Sequence, residues 1–566
     1  MSNKIVAAID LGTSRSALAF SIQGCAEQDV IIRVPEGSLP SVSAMKTETA
    51  VLLCSTHPHD VLAFGRSAYE RFIRDSGDND TSTEYGGAGV RTTSGATTSM
   101  MFRWFKMGLC ERRAYKSVDD PKATAAGGQQ LPLMVVMTAA LRHFKEDAIA
   151  HLSSESGMAQ TVEDVTWVVT IPAIYDDFAK RFMRIAAHKA GITPTIDSPS
   201  LQLCLEPEAA CLAVMSNNQP HPAKVGTKVM VLDCGGGTVD ITTHEVLSIN
   251  PLRLKELLPP TGGPWGSTCV DKAFMVWFKG FLGEQHYAQV RRTLAFYDLL
   301  NRWEEGKTRF GGGKKDNVRL NMVEISRQLG LDVKQIQELR AGYNDKHESP
   351  QFRVKGSKFS LVLPSSLVKS FFAPTIAKIA TCLRLMKRNT LLRGLRYVFL
   401  VGGFSSSPLV QAAARAQLEA GGCSVLPARR PDVAIVRGAV LFANKAEVFT
   451  TRKARLTYGV VVNVMYDSRN PEHVRRRTSS PVFGENGEEK ISAFYRHVTA
   501  GQDIPHDGVC PAQVYRPTLS TQSEISFSIL ASHKSNIDFP DKDTTFSRGQ
   551  LCVPLDMTTS FANRRV

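Results

Sequence analysis

The feature that most constrains this chain is a pattern that occurs twice: an apolar run ends in aspartate, turns through glycine to threonine, and continues into a second run. The first copy lies at 5–20 and the second at 229–243. Their turn residues are Asp10, Gly12, Thr13 and Ser14 in the first copy, and Asp233, Gly235, Gly236, Gly237 and Thr238 in the second. Glycine lets backbone N–H groups approach an anion without an intervening Cβ atom, and the threonine hydroxyl adds a donor. Each copy therefore predicts a β-hairpin whose tip can hold a phosphate, and the repetition predicts two similar lobes facing one nucleotide.

Four further segments have the composition that such a nucleotide site needs. A buried strand at 168–171 leads to a helix at 178–190. An acidic turn, Glu-Pro-Glu-Ala-Ala at 206–210, opens another helix. Further along, Val-Gly-Gly-Phe-Ser at 401–405 ends a strand, and Asp432 precedes a last helix.

Together, in this order, they resemble the five nucleotide-binding segments of the actin, sugar-kinase and heat-shock 70 kDa superfamily. The forms Glu-Pro-x-Ala-Ala and Val-Gly-Gly-x-Ser resemble the heat-shock 70 kDa chaperones rather than actin or hexokinase. Segments 105–107 and 456–460 are similar to the divergent heat shock 70 kDa protein 12 branch of that family. The resemblance covers most of the chain.

The resemblance implies an α/β protein with the two-lobed actin-like ATPase fold, in which duplicated ribonuclease-H-like lobes enclose a central nucleotide cleft. Lobe I is predicted at 1–205, with an insertion at about 34–131. Lobe II is predicted at 206–446, with a helical insertion at about 262–363, and a short β-rich region follows at 447–566. A stretch rich in Gly, Ser and Thr at 75–99 predicts a mobile loop.

The resemblance also implies a Mg²⁺-ATP site. Asp10 and Asp233 would hold a hydrated Mg²⁺ through water, while Thr13, Ser14 and the glycine N–H groups would donate to the phosphates. Glu206 and Thr238 would orient the attacking water, with support from Asp240. An aspartate at a strand end can instead cap a turn, and Glu206 can be a plain acid at a helix N-terminus. Lys106 would lie near the γ-phosphate, or would be a surface lysine whose stem covers an apolar face.

For adenosine, Gly402, Gly403 and Phe404 would approach the α-phosphate and the base, and Asp432 would support the ribose pocket. Glu304 and Lys307 would contact ribose and adenine, or would form only a surface salt pair. Typical chaperones sandwich adenine between two arginines, where this chain has Thr308 and Ser406. Altered nucleotide affinity is therefore expected, with Arg309 or Arg415 as possible compensation.

Composition argues against several other classes of protein. No apolar run reaches the roughly 20 residues of a membrane span, and the start of the chain does not resemble a signal peptide. The eleven cysteines form no Cys-x-x-Cys pair, which is typical of reduced thiols in a cytoplasmic protein. The net charge of +14 is dispersed, with its densest cluster at 475–477, so we expect a basic surface rather than a nucleic-acid partner.

The C-terminal region departs from the family pattern. Strands are predicted at 458–466 and 523–530, but no helical lid is expected, and no acidic-apolar linker lies between Asn444 and Leu456. A lid slows peptide release and a linker carries lobe closure to the peptide site. We therefore expect weak peptide binding that changes little between ATP and ADP.

The leading hypothesis is an atypical, chaperone-like ATP-binding protein of the heat-shock 70 kDa kind. It would be a slow Mg²⁺-dependent ATPase whose lobe closure on ATP or ADP acts on a protein partner. One alternative is a nucleotide-binding scaffold without useful hydrolysis. Another is a small-molecule kinase of the same fold, which would need an acceptor pocket with a general-base aspartate.

Overall fold

The computed structural model describes residues 5–22, 30–35, 45–77, 99–110, 117–216, 223–332, 334–336, 338, 351–355, 358–443, 445–477, 482–541 and 543–559. Most of the predicted mobile loop at 75–99, and Asn444, lie outside these residues. The chain divides into two units, the first formed by 1–223, 227–242 and 260–445. The second is formed by 224–226, 243–259 and 446–566. The predicted lobe boundaries stay predictions.

The structure is a mixed α/β fold with several sheets, as the sequence predicts in coarse outline. In chain order the strands up to residue 263 are β1 (Ile5–Asp10), β2 (Arg15–Ser21), β3 (Ile31–Ile32), β4 (Thr47–Glu48), β5 (Ala50–Cys54), β6 (Val61–Phe64), β7 (Ser99–Arg103), β8 (Lys122–Thr124), β9 (Gln130–Pro132), β10 (Val165–Ile171), β11 (Leu201–Leu205), β12 (Lys228–Cys234), β13 (Val239–Ile249) and β14 (Leu252–Gly263). The later strands are β15 (Val318–Asn321), β16 (Gln351–Lys355), β17 (Lys358–Leu363), β18 (Leu395–Val401), β19 (Ser424–Pro427), β20 (Phe449–Lys453), β21 (Thr457–Met465), β22 (Val482–Phe483), β23 (Glu489–Val498), β24 (Asp503–Pro505), β25 (Glu524–Ser532) and β26 (Thr545–Pro554).

The α-helices of the described residues connect and cover these strands. They are α1 (Arg66–Gly77), α2 (Leu133–Ser156), α3 (Asp177–Lys189), α4 (Glu206–Ser216), α5 (Thr268–Leu282), α6 (Glu284–Val290), α7 (Leu294–Arg309), α8 (Val323–Leu329), α9 (Ser365–Lys387), α10 (Pro408–Leu418), α11 (Ala434–Phe442) and α12 (Pro471–Arg476). Short 3₁₀ helices include Phe105–Leu109 and Gly403–Ser406. Local sequence explains some of the helix starts, because the Asp176 side chain accepts a hydrogen bond from the Ala179 N–H and caps α3.

The first sheet of the first unit is built around the N-terminal hairpin. Its strand order is β11-β10-β1-β2-β3, and β4 pairs with β2. Strand β1 is fully buried, because it is apolar on both faces between parallel β10 and antiparallel β2. The hairpin turn thus stands at the end of a central strand, at the same edge as the C-terminal end of β10.

The second sheet repeats this arrangement around the second hairpin. Within the first unit it contains β19, β18, β12, the start of β13 (239–242) and the end of β14 (260–263), with β18 parallel to β12 and β19 parallel to β18. Only four residues separate β12 from β13, so the two form an antiparallel hairpin. In each sheet, a hairpin is therefore flanked on one side by two parallel strands.

Helices α4 and α11 cross at very short range. A Cβ atom on Gly438 would clash with the carbonyl oxygen of Ala209, so only glycine permits this approach. Both helices are almost entirely buried, which explains why their sequences are apolar on all sides.

The segment predicted as a helical insertion at 262–363 is only partly helical. Helices α5 to α8 are present, and the helix predicted at 270–281 is α5. The same segment also contains the antiparallel sheet β15-β17-β16, which the prediction missed. The strands are four to six residues long, too short for their alternation to stand out from the surrounding helical pattern.

The second unit is mainly β-structure. Its larger sheet has the order β22-β23-β21-β25-β26, and β21 and β25 are the strands predicted at 458–466 and 523–530. Strand β20 pairs with β14 at Leu254 and Lys255 and with β24. The Asp503 carboxylate forms ion pairs with Lys255 and Lys453, with N···O distances of 2.7 and 2.6 Å, and these pairs join β14, β20 and β24.

One helix among the described residues, α9, is long and apolar enough to cross a membrane by length and composition. Its Leu367, Phe371, Phe372 and Leu383 side chains are buried within the first unit. A core helix of a soluble domain passes the same test, so α9 is weak evidence for a span.

Candidate functional site

The two predicted phosphate turns face each other. A Cβ atom on Gly236 would clash with Ser14 Oγ, and one on Gly237 would clash with Thr13 Oγ1. The second turn is closed by a hydrogen bond from the Gly235 N–H to the Thr238 carbonyl oxygen at 2.9 Å. Side chains larger than glycine would therefore prevent the two hairpin tips from meeting.

The turns lie in a cleft of the first unit with a volume of about 1580 Å³. The predicted site residues that line it are Asp10, Gly12, Thr13, Ser14, Lys106, Glu206, Gly235, Gly236, Gly237, Thr238, Glu304, Lys307, Gly402, Gly403, Phe404 and Asp432. Asp233 and Asp240 do not line the cleft and are buried beside it. The structure thus brings together residues that are up to 422 positions apart (432 minus 10) in the chain.

At the end of β1, both oxygens of the Asp10 carboxylate have partners. Thr170 Oγ1 donates to Asp10 Oδ1 at 2.9 Å, and Lys46 Nζ donates to Oδ2 at 2.7 Å. Asp10 is buried, so this ion pair is shielded from solvent on the carboxylate side. Lys46 was not predicted from the sequence.

At the end of β12, the Asp233 carboxylate differs from that of Asp10 in its hydrogen bonding. Both of its oxygens are buried without a hydrogen-bond partner. Burial and the nearby Glu206, Asp240 and Asp10 carboxylates raise the pKa of Asp233 well above its usual range. An unpartnered buried carboxylate is a group that a hydrated cation would satisfy, so the residues fit the predicted metal.

Direct coordination of a metal ion by protein side chains has less support than binding through water. Within the described ranges, no three His, Cys, Asp or Glu side chains are grouped closely enough to bind a metal ion. A cation at this position would therefore keep most of its water, as Mg²⁺ commonly does.

Lys106 and Glu206 form a buried ion pair. Lys106 Nζ donates to Glu206 Oε1 at 2.6 Å, and the lysine side chain is only 2% exposed. The 3₁₀ helix that carries Lys106 is held by Tyr175, whose hydroxyl donates to the Lys106 carbonyl oxygen at 3.2 Å. The alternative of a surface lysine is therefore wrong. Burial raises the pKa of Glu206, although Lys106 opposes that rise.

Asp240 is the carboxylate beneath this pair. The backbone N–H of Ile174 donates to its Oδ1 at 2.8 Å. Burial, with the nearby charge of Glu206, raises the pKa of Asp240 to about 7. Its environment thus favours the neutral acid below about pH 7.

The raised pKa of Asp240 predicts how the free energy of unfolding depends on pH. The native state holds a proton on Asp240 that the unfolded chain releases near pH 4, so native stability decreases as pH rises until about pH 7. Asp240→Asn keeps the acceptor for Ile174 but cannot ionise. Between pH 5.5 and 7.5 without nucleotide, the wild type should lose about 2 kcal/mol of unfolding free energy relative to the variant. Urea denaturation across this range measures it, and a pH-independent difference would contradict the assignment.

The residues predicted for ribose and adenine form a partly buried network. Lys307 Nζ contacts Asp271 Oδ1 at 2.8 Å and Glu304 Oε2 at 2.5 Å. Trp303 Nε1 also donates to Asp271 Oδ1, at 2.9 Å. Burial alone would lower the pKa of Lys307, but Asp271 and Glu304 together raise it. The salt pair of the alternative is thus present, with Lys307 buried and the Glu304 side chain 41% exposed, and contact with a nucleoside stays a prediction.

Opposite this network, Arg430 and Asp432 form the cleft edge. The Arg430 guanidinium donates to both Asp432 oxygens, at 3.1 and 3.0 Å. Gly402 has a φ of 80° and its backbone lies against the Asp233 carboxylate, where any side chain would clash. Thr308, Arg309 and Ser406 line the cleft as well, whereas Arg415 does not.

Two tyrosines connect the predicted insertions above the cleft. The Tyr69 and Tyr297 rings stack with centroids 4.2 Å apart, and the Tyr297 hydroxyl donates to Glu48. Arg103 lies over the Tyr69 ring and over the Trp104 ring. These contacts join α1 and β7 to α7.

Lys46, Thr170, Ile174, Asp271 and Tyr297 are the site residues that the sequence analysis missed. Each acts through a partner far away in the chain, as in the contact between Thr170 and Asp10. Thr170 lies in the predicted strand at 168–171, but nothing in that segment marks it as a partner of Asp10. The other four have no local signal in the sequence that marks their contacts.

Comparison with known proteins gives the same family as the motifs. No protein family model matches the chain. The chain is 28% identical to "Heat shock 70 kDa protein 12A" of Homo sapiens, over 99% of the chain and 86% of that protein. It is 28% identical to the Mus musculus protein of the same name, over 94% of the chain and 82% of that protein. It is also 29% identical to "Heat shock 70 kDa protein 12B" of Homo sapiens, over 90% of the chain and 78% of that protein.

These similarities extend over nearly the whole chain rather than over the nucleotide motifs alone. They confirm the resemblance that the motifs predict: over nearly its whole length, this chain is similar to heat shock 70 kDa proteins 12A and 12B.

Proposed function

We propose that this chain is an atypical heat-shock-70-like ATPase that binds Mg²⁺ with ATP or ADP and hydrolyses ATP slowly. The observation that carries the proposal is the pair of glycine turns that meet in the cleft beside Asp233, Lys106 and Glu206. Hairpin tips rich in glycine and hydroxyl groups suit phosphate oxygens. The fold would be the two-lobed actin-like ATPase fold, since each of its two main sheets has a hairpin flanked by two parallel strands.

Hydrolysis needs charge neutralisation at the phosphates and a positioned water. Bound Mg²⁺ would supply neutralisation, held through water by Asp233 with Asp10 nearby. Lys106, Thr13 and Ser14 would face the phosphates from the first turn. Glu206 and Thr238 would orient the attacking water, and Asp240 would support Thr238.

The adenosine end would be formed by Gly402, Gly403 and Phe404 on one side, with Asp432 at the ribose. Glu304 and Lys307 would close it from α7. The departures at Thr308 and Ser406 favour altered nucleotide affinity, and they are the observation that supports the second candidate, a scaffold that binds nucleotide without useful hydrolysis.

Lobe closure on the nucleotide would act on a protein partner. The stacked Tyr69 and Tyr297 rings are placed to stabilise a closed cleft, because they join the two predicted insertions.

We propose that the protein acts in the cytoplasm. The ten cysteines in the described residues are all free thiols, as expected in a reducing compartment.

Single-turnover hydrolysis separates the ATPase from the scaffold. Thr238→Ala should retain ATP binding but lower the hydrolysis rate by about 10- to 1000-fold, since it removes a group that positions the water. Thr381→Ala, at an exposed position on α9, is the matched control and should hydrolyse at the wild-type rate.

A wild type that binds ATP but produces no ADP would favour the scaffold. Turnover that rises with an added sugar would favour a kinase. If the Thr238→Ala variant hydrolyses ATP as fast as the wild type, the role given to this hydroxyl is wrong.

A further inference from the structure

The two turn aspartates occupy matching places in their sheets but have different surroundings. Asp10 ends β1 and accepts from Thr170 and Lys46, so both of its oxygens are occupied. Asp233 ends β12, and neither of its oxygens has a partner. A symmetric arrangement, in which both carboxylates hold the cation in the same way, does not follow from this geometry.

Strand pairing explains why Lys46 reaches Asp10. Asp10 pairs with Ala17 across β1 and β2, and Ser16 pairs with Thr47 across β2 and β4. Continuing this antiparallel register by one residue places Lys46 opposite Ala17, with β2 between Lys46 and Asp10. The pairing places the ammonium group next to the phosphate turn.

Hydrogen bonds hold this segment against the first turn. The Thr49 N–H donates to the Ser14 carbonyl oxygen at 2.9 Å, and the Ser16 and Thr49 hydroxyl groups are 2.7 Å apart. Lys46 lines the cleft and its side chain is 13% exposed. An ammonium group has three N–H donors, and Asp10 takes one of them.

The charges around the two turns favour a second role for the Lys46 ammonium group, the binding of an anion. Four carboxylates lie here, those of Asp10, Glu206, Asp233 and Asp240, together with two ammonium groups, those of Lys46 and Lys106. Lys106 is buried against Glu206. Lys46 is more exposed to the cleft than Lys106, so it can reach an entering anion with less rearrangement.

We propose that Lys46 is a phosphate-binding residue, whose ammonium group Asp10 positions for the terminal phosphate of a bound nucleoside triphosphate. Asp233 is buried beside the cleft with no hydrogen-bond partner on either oxygen, so it is then the carboxylate left to accept from the water of a hydrated cation. This inference rests on the proposed function and assigns a role within the same site. A hydrogen bond between ions contributes roughly 10- to 100-fold to affinity, which sets the expected effect.

Calorimetric titration with Mg²⁺-ATP and with adenosine tests this role. Lys46→Gln should weaken Mg²⁺-ATP binding by about 10- to 100-fold and leave adenosine binding within about twofold, because adenosine has no phosphate. Lys46→Arg should recover most of the ATP affinity. Lys122→Gln makes the same change of charge at an exposed lysine, and it should bind both ligands as the wild type does.

Equal Mg²⁺-ATP affinity in Lys46→Gln and the wild type would overturn the inference, as would an equal loss of adenosine binding. A wild type that binds no ATP would instead overturn the proposed function. If the Lys46→Gln variant does not fold, the rate of chemical acetylation of Lys46 in the wild-type protein tests the proposed role instead. Mg²⁺-ATP should then protect Lys46 more strongly than adenosine does, and equal acetylation rates with both ligands would overturn the role.

Discussion

Asp233→Asn is expected to lower ATP hydrolysis by about 1000-fold or more while making the nucleotide-free protein more stable. The loss follows because the buried carboxylate would no longer face the cation at the phosphates, where such electrostatic groups have their largest effects. The gain in stability follows because the wild-type carboxylate has no partner. In the native state it either stays ionised in a buried place or takes up a proton that the unfolded chain has released, and both are unfavourable at pH 7.5.

Urea denaturation and single-turnover hydrolysis measure the two effects on the same preparations. Asp60→Asn, at an exposed aspartate of the first unit, is the control and should change neither. Mg²⁺-dependent ATP binding should weaken in Asp233→Asn as well. Hydrolysis at the wild-type rate in Asp233→Asn would remove the argument from the two hairpins.

Lys106→Met is expected to have the largest effect on stability, about 3–5 kcal/mol, the usual loss when one partner of a buried ion pair is removed. The methionine side chain fills a similar volume, so the loss comes mainly from Glu206, which is left buried without its ammonium partner. Under the proposed function, hydrolysis should also fall by about 100-fold or more, because the variant loses an ammonium group that would lie beside the phosphates.

The double variant Lys106→Met/Glu206→Gln separates these two effects. It removes the unpaired charge and should recover most of the lost unfolding free energy, but it should not recover hydrolysis. Lys122→Met is the surface control for a lost lysine. Equal stability of Lys106→Met and the wild type would show that this pair does not stabilise the fold.

Local signals account for what the sequence predicts well. Apolar runs that end in aspartate and glycine predict the β1–β2 and β12–β13 hairpins, because the turn and both strands lie within a single segment, 5–21 in the first copy and 228–249 in the second. The helix predicted at 270–281 is α5, Thr268–Leu282, since its apolar spacing is also local. The position of Lys106 in the cleft came from the family resemblance, and spacing alone does not give it.

Long-range pairing accounts for what the sequence does not predict. Lys46 reaches Asp10 only because β4 pairs with β2, and nothing near Lys46 marks that pairing. Tyr69 and Tyr297 are 228 residues apart and meet in one stack. The sheet β15-β17-β16 was missed because its strands are short and lie among helices. The roles of the site residues stay predictions, although the cleft brings most of them together.

A calorimetric titration of the wild-type chain with Mg²⁺-ATP tests the central claim most directly. The account predicts saturable binding of one nucleotide per chain, which weakens when Mg²⁺ is removed with EDTA and in the Asp233→Asn variant. Saturable binding that is unaffected by both changes would contradict the metal site. The absence of any saturable binding of Mg²⁺-ATP by a folded preparation would contradict the account as a whole.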